Sequence, residues 1–156
     1  MAKVQNRERL LAKLAAIPPK MREAMSTAMQ QGADEITRLQ KNLAPQKSGA
    51  LRNSIRNVKG SYTPDNANVR GVGGGGGEGD PELTIHLVAG DATAYYAAFV
   101  EFGTAPHAQG GKFAGTEHPG TRPRPFFYPA YRSLKRRYRA RLTRATKKAI
   151  KAGAGS

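Results

Sequence analysis

From Lys20 to Leu43 the apolar residues Met21, Met25, Ala28, Met29, Ile36, Leu39 and Leu43 recur at spacings of mostly three, four and seven. That period gathers them on one side of an α-helix of roughly 24 residues, about 36 Å long. Pro45 ends it. Upstream, Leu10, Leu11 and Leu14 lie on one side of a helix over 3–16, which Pro18-Pro19 breaks. Proline is tolerated in a first helical turn, so the same pair can open the next helix. Methionine packs adaptably and can line a partner's groove. Ordinary core is the commoner use and is expected of Met21, Met25 and Met29.

After Pro45 the period shortens. Ser48 is placed to cap a helical turn over Ala50–Ser54, and Ile55–Tyr62 reads as a strand. "TPDNANVRGVGGGGGEGDP" is a loop by composition, and its five consecutive glycines bring no side chains to pack. In "ELTIHLVAG", Leu83, Ile85 and Leu87 alternate with Thr84, His86 and Val88, the pattern of a strand. The two strands flank the loop and predict an antiparallel hairpin. "ATAYYAAFVEF" then spaces Tyr95, Phe99 and Phe102 by four and three, which is helical, with Tyr96 and Val100 on the adjoining stripe. Asp91 or Thr93 is expected to cap it, and Gly103 sits where a left-handed C-terminal cap belongs. Thr104–Arg124 reads as loop. Beyond it Pro129 opens a helix over 129–152, whose narrow stripe is Tyr131, Leu134, Tyr138, Leu142, Ala145 and Ala149. The fold class is therefore α+β. A long N-terminal helix and a basic C-terminal helix bracket a small antiparallel sheet with long Gly-rich loops, mobile near 63–81 and 105–124. The 156 residues fit one domain.

Charge adds a second asymmetry. The net charge is +15, and 12 of the Lys and Arg residues follow the last acid, Glu117. Arg132, Lys135, Arg136, Arg137, Arg139, Arg141, Arg144, Lys147 and Lys148 are the candidates for contact with a polyanion, either nucleic acid or an acidic protein surface. Charge alone leaves both partners open. There is no Cys, so disulfides, thiolate nucleophiles and Cys-ligated zinc are excluded. No apolar run reaches the length of a signal-peptide core or of a membrane span, so a soluble chain is expected, with no membrane partner.

Catalysis has little to draw on. His86, His107, His118, Glu101 and Glu117 are the candidate acid–base or metal residues, and their spacing matches no known ligand set. No H-E-x-x-H, G-x-S-x-G or P-loop occurs, and "GVGGGGGEG" lacks the Lys-Ser/Thr ending and the helix of a phosphate cradle. No catalytic residue, cofactor or metal is expected. Glu101 stands at the end of a short helix, where the dipole disfavours an acid, so an Arg or Lys partner is expected for it. The basic helix carries no helix-turn-helix, zinc-finger, RNP or KH signature, so any DNA contact would be to phosphates, without sequence preference.

Four segments in order, "SGALRNSI" (Ser48–Ile55), "YYAAFVEFGT" (Tyr95–Thr104), Pro106-His107 and "RPRPFFYPAY" (Arg122–Tyr131), resemble the tail-completion, or neck, proteins of long-tailed bacteriophages and prophages. The chain departs from that pattern at Ser48, in the five-glycine loop and in the insert "AQGGKFAGTEHPGTR". The resemblance implies a non-catalytic virion protein, made in the host cytoplasm. It would form a ring, usually of six subunits, that completes the tail and joins it to the head connector, with DNA passing through the middle. Neighbouring connector and tail-terminator or tail-tube proteins would be its partners. The positions it carries over are for fold and contact: Gly49, Leu51, Arg52, Ser54 and Ile55; Tyr95, Val100, Glu101, Phe102, Gly103 and Thr104, with His107 after them; and Pro125, Phe126, Pro129 and Ala130. A tail terminator ring and a DNA-binding protein acting alone, without sequence specificity, are the alternatives.

Overall fold

A computed structural model of the chain describes residues 17–63 and 80–154. The helix expected over 3–16 and most of the five-glycine loop lie outside the described residues. Helix α1 runs Pro19–Leu43. Pro19 holds its first position, where a missing N–H costs nothing. A short α2, Ala50–Ser54, follows. Gly49, in a left-handed conformation, takes the capping position expected of Ser48, whose Oγ lies 3.4 Å from the Ala50 N–H. Strands β1 (Arg56–Lys59) and β2 (Ile85–Val88) pair antiparallel, with Asn57 opposite Leu87 and Val58 opposite His86. The hairpin read from alternation is therefore present, with shorter strands. Asp80 accepts the Glu82 N–H and turns Pro81–Leu83 into one turn of 3₁₀ helix ahead of β2.

Asn57 ties this sheet to α1. Its side chain accepts from Gln30 Nε2 at 2.8 Å and donates to Asp34 Oδ1 at 2.9 Å and Thr37 Oγ1 at 3.2 Å. A two-stranded sheet is marginal alone and needs a packing partner, which α1 supplies.

Helix α3 spans Ala97–Phe102, and the long helix α4 spans Phe127–Ala154. The α3 helix is shorter than its periodicity predicts. Asp91 Oδ1 accepts the N–H groups of Thr93 and Ala94, so this acid closes a turn before the helix and Tyr95 precedes it. The segment 104–124, read as loop, contains a second antiparallel pair. Strands β3 (His107–Ala108) and β4 (Glu117–His118) face each other, and Thr104 bridges Thr121 below them. Two-residue strands leave no alternation in sequence to detect.

Helices α1 and α4 lie antiparallel. Gln40 Nε2 donates to the Phe127 carbonyl at one end. Pro18 and Met21 line a groove with Ala149 and Ile150 at the other. The most buried line of α1 is Ala28, Gly32, Ala33, Ile36, Thr37 and Gln40. Met21, Met25, Met29 and Leu39 are half-buried, and Leu43, expected in the core, is exposed at the last position of α1. Small residues occupy the buried line because α4 comes close. A Cβ on Gly32 would stand 2.2 Å from the Tyr138 ring. Below the helix pair, Ala44, Leu51, Ile55, Ala97 and Phe126 form the buried core cluster.

Candidate assembly interface

An α-helix begins with four N–H groups that have no partner inside it. For α4 these belong to Phe126, Phe127, Tyr128 and residue 129. Residue 129 is proline and has no N–H. No Ser, Thr, Asp or Asn precedes α4 in "RPRPFF" to accept the others. The acceptor comes from α3. Glu101 Oε2 takes the N–H of Phe126 at 2.7 Å and of Phe127 at 2.9 Å, and Oε1 takes that of Tyr128 at 3.0 Å. All four starting positions of α4 are thereby satisfied, three by one carboxylate and one by proline. The carboxylate is 6% exposed. Its charge faces the positive end of α4, where an anion is favoured.

This corrects the expectation that Glu101 meets an Arg or Lys. Its partners are three backbone N–H groups at a helix start, which no count of basic residues reveals. The motifs "YYAAFVEFGT" and "RPRPFFYPAY" are thus the two halves of one joint.

Gly103 sharpens the joint. Its φ of 73° is positive as expected, but ψ is −178°, an extended geometry nearly confined to glycine, in place of the expected left-handed cap. Its N–H still closes α3 on the Phe99 carbonyl at 2.8 Å. A Cβ there would lie 2.5 Å from the Thr121 carbonyl oxygen, and one on Gly120 would lie 2.3 Å from that of Thr104. The two glycines let the strands leaving α3 and approaching α4 pair at close range. Arg124 then donates its N–H to the Val100 carbonyl at 2.8 Å, which returns the chain to α3.

Other motif residues divide into core and surface. Leu51 and Ile55 are buried, and Ser54 Oγ donates to the Leu51 carbonyl and accepts the Gly90 N–H. Phe126 is 1% exposed and Ala130 fully buried, while Arg52, Val100, Thr104 and Pro129 are intermediate and Pro125 is exposed. The aromatic residues of the joint that face out are Tyr95 (62% exposed), Phe99 (49%), Phe102 (66%) and Tyr128 (46%). The Phe102 and Tyr128 rings lie 5.9 Å apart, centroid to centroid. The periodicity of α3 located its aromatic stripe, and the structure turns Phe99 and Phe102 outward. Tyr128 joins the outward set from α4, beyond the reach of the α3 periodicity. Its signal is Pro129, which marks the first turn of α4 and sets 128 beside the joint.

His107 and His118 face each other across β3 and β4, stacked at 5.1 Å and 20°. His107 Nδ1 meets the Ala105 carbonyl, and His118 Nδ1 accepts the Gly120 N–H. Near-parallel rings send their lone pairs in parallel directions, which do not converge on one ion. Glu101, the third member of that imagined set, is engaged by α4. His86 lies on the sheet, 6.0 Å from the Tyr62 ring, and Glu117 is exposed on β4. Among the described residues no group of three or more His, Asp or Glu could hold a metal ion. Beside the joint, Tyr96, Phe99, Val100, Thr104, His107 and His118 line an open cleft of about 590 Å³.

The cations of α4 fall into two sets. Arg137 and Arg141 turn to α1 and share Glu35, at 2.8 and 2.9 Å. Arg132, Arg136, Arg139, Arg144, Lys147 and Lys148 are exposed, and Lys135 sits with its ammonium 5.8 Å from the Tyr131 ring. Among the described residues, no helix is long and apolar enough to cross a membrane.

Fold and site define an α+β domain in which a buried acid couples a short aromatic helix to a long cationic one. The chain belongs to the HK97-gp10-like family, described as "Bacteriophage HK97-gp10, putative tail-component", which it matches over residues 8–103. It is a member of a phage tail-component family, as the motifs suggested. No curated protein and no solved structure matches it. The family match includes Glu101 and ends at Gly103, ahead of the β3–β4 hairpin and α4.

Proposed function

We propose that the chain is a non-catalytic virion subunit that forms a ring, of six copies, at the head–tail junction. There it completes the tail and joins it to the head connector around the DNA channel. Membership of a phage tail-component family supports the setting. The observation that carries the reading is the exposed aromatic set Tyr95, Phe99, Phe102 and Tyr128, mounted on a joint fixed by three hydrogen bonds to Glu101. Large aromatic side chains held outward on a rigid frame are the anchors of protein–protein interfaces. A ring closes when one such surface meets a different surface on the next copy, repeated around an axis.

Native mass spectrometry of the full chain, alone and with purified tails, tests this. A closed oligomer is expected with wild type. F99S/F102S should lose the oligomer while the protomer still unfolds cooperatively within about 5 °C of wild type, because both rings are about half exposed or more. A protomer that stays monomeric in the presence of tails, or a double variant that assembles normally, overturns the reading. Particles lacking the protein separate the two ring roles: normal-length tails that fail to join heads fit a completion protein, and tails of uncontrolled length fit a terminator.

A further inference from the structure

The outward face of α4 has a composition different from the aromatic joint. Arg132, Arg136, Arg139, Arg144, Lys147 and Lys151 are all exposed, on the side away from Leu134, Tyr138, Leu142 and Ala145. From Arg132 to Lys151 this row runs about 28 Å at 1.5 Å per residue. Among the described residues none of the six forms an ion pair, and α4 contains no acidic residue at all. Like charges three or four apart on a helix destabilise it. The row therefore carries a standing cost that a polyanion would relieve.

Three polyanions are conceivable, and the face discriminates among them. A protein interface needs apolar or aromatic anchors at its centre and is depleted in Lys. Between these cations α4 presents Ala140 and Thr143, and the large aliphatic side chain exposed near them, Ile150, stands at the C-terminal end of the row, where it lines the groove with Pro18 and Met21. A single-stranded nucleic acid is held by aromatic platforms on which bases stack. The exposed aromatics stand at the N-terminal end of α4, away from most of the row. A straight, rigid row of cations matches the straight, rigid phosphate rows of a duplex, which offers roughly 17 charges along 28 Å. The Glu35 carboxylate offsets one of the two charges of Arg137 and Arg141, which lowers the net charge that the helix would bring to a DNA channel.

We infer that the outward face of α4 is a contact for the phosphate backbone of double-stranded DNA, weak per protomer and without sequence preference. The inference rests on the proposed head–tail setting for its biological context. Its test uses the isolated protomer, so failure of the ring and failure of the contact are read separately.

The probe is a fluorescent 30-base-pair duplex of random sequence, titrated with the full chain by anisotropy between 50 and 200 mM salt. Binding that weakens steeply with salt is expected, with Kd on the order of 10⁻⁴–10⁻⁶ M near physiological salt. R132Q/R136Q/R139Q/K147Q should cut affinity at 100 mM salt by at least about tenfold and reduce the salt slope by roughly three to four. R132K/R136K/R139K keeps the charge and should retain binding. R38Q/K47Q/K59Q/R122Q removes the same charge from exposed sites off the row and should bind within about threefold of wild type. Absence of binding at 50 mM salt overturns the inference, as does equal loss in the two quadruple variants. Equal or tighter binding of polyglutamate or of single-stranded DNA of matched charge also overturns it and points to the other partners.

Discussion

Glu101→Gln isolates the contribution of the joint. Glutamine keeps the shape and replaces one carboxylate oxygen with an NH₂ group. Its carbonyl can still take the Phe126 and Phe127 N–H groups at the Oε2 position. The NH₂ then faces the Tyr128 N–H, donor against donor, where the carboxylate has a bond of 3.0 Å. Losing a bond to a charged acceptor and leaving a covered donor unpaired costs about 1–3 kcal/mol. Removing the anion from the start of α4 adds about 0.5–2 kcal/mol, because the site is nearly buried. The sum, roughly 1.5–5 kcal/mol, is a large share of the 5–15 kcal/mol that holds a typical domain together. In a chain of this length each kcal/mol moves the melting temperature by roughly 2–4 °C, so a fall on the order of 3–20 °C is expected. Urea unfolding followed by circular dichroism should show a lower midpoint with an unchanged slope, the sign of a change in stability alone. A variant within 0.5 kcal/mol of wild type refutes the assignment of Glu101 as the cap of α4. So does a variant of normal protomer stability that has lost only assembly, which would place the acid's partner on another subunit.

Three further perturbations test the frame. Gly103→Val should destabilise by at least about 2–3 kcal/mol, since its φ of 73° with ψ of −178° is strained for a side chain and the Cβ meets the Thr121 carbonyl at 2.5 Å; amide exchange at Thr104 and Thr121 reads it, and wild-type protection would refute the close pairing. Gly32→Ala gains about 1 kcal/mol of helix propensity but overpacks against Tyr138 at an expected cost of about 1–3 kcal/mol. The same change made in Tyr138→Ala should instead stabilise, and an unchanged sign would refute the contact. The hydrogen bond from Arg22 holds the Asp80 carboxyl below its ordinary pKa. A depressed folded-state value means that the contribution of Asp80 is complete above the unfolded value of about 3.9 and is lost as pH falls through the folded one. Wild type should therefore exceed Asp80→Asn in stability at neutral pH, with the gap closing in acid below pH 4; a gap that persists or widens there would contradict the pairing.

Elements governed by one period were legible in the chain. Helix α1 follows its three-and-four spacing, β1 and β2 flank the glycine run, and Pro129 announces the start of α4. What stayed illegible depends on residues distant in sequence. Nothing near Gly32 signals Tyr138, 106 positions on, although an isolated glycine inside a helical pattern invites the question. The β3–β4 hairpin is too short for alternation to register. Asp91, one of two cap candidates with Thr93, closes a turn instead, because capping and turn formation use the same carboxylate chemistry and only the backbone beyond Ala94 decides between them. Glu101 is the least legible residue of the joint, because a helix whose cap comes from another element leaves its own N-terminal sequence without a signature.

That arrangement makes the family segment and the folding unit end at different places. The match stops at Gly103, yet the groups that complete Glu101 lie at 126–128, beyond it. Without α4 the carboxylate would have to recruit water inside a core that contains Phe126 and Ala97, and burying an unpaired charge costs several kcal/mol. Without Glu101, α4 would begin with three uncapped donors. Each half therefore stabilises the other, and the outward aromatics of both, Phe102 on α3 and Tyr128 on α4, are brought to 5.9 Å only when the joint is made. The surface proposed for assembly is thus a product of folding across the two motifs. A change at Glu101 should weaken assembly through the spacing of these two rings even where neither ring is altered.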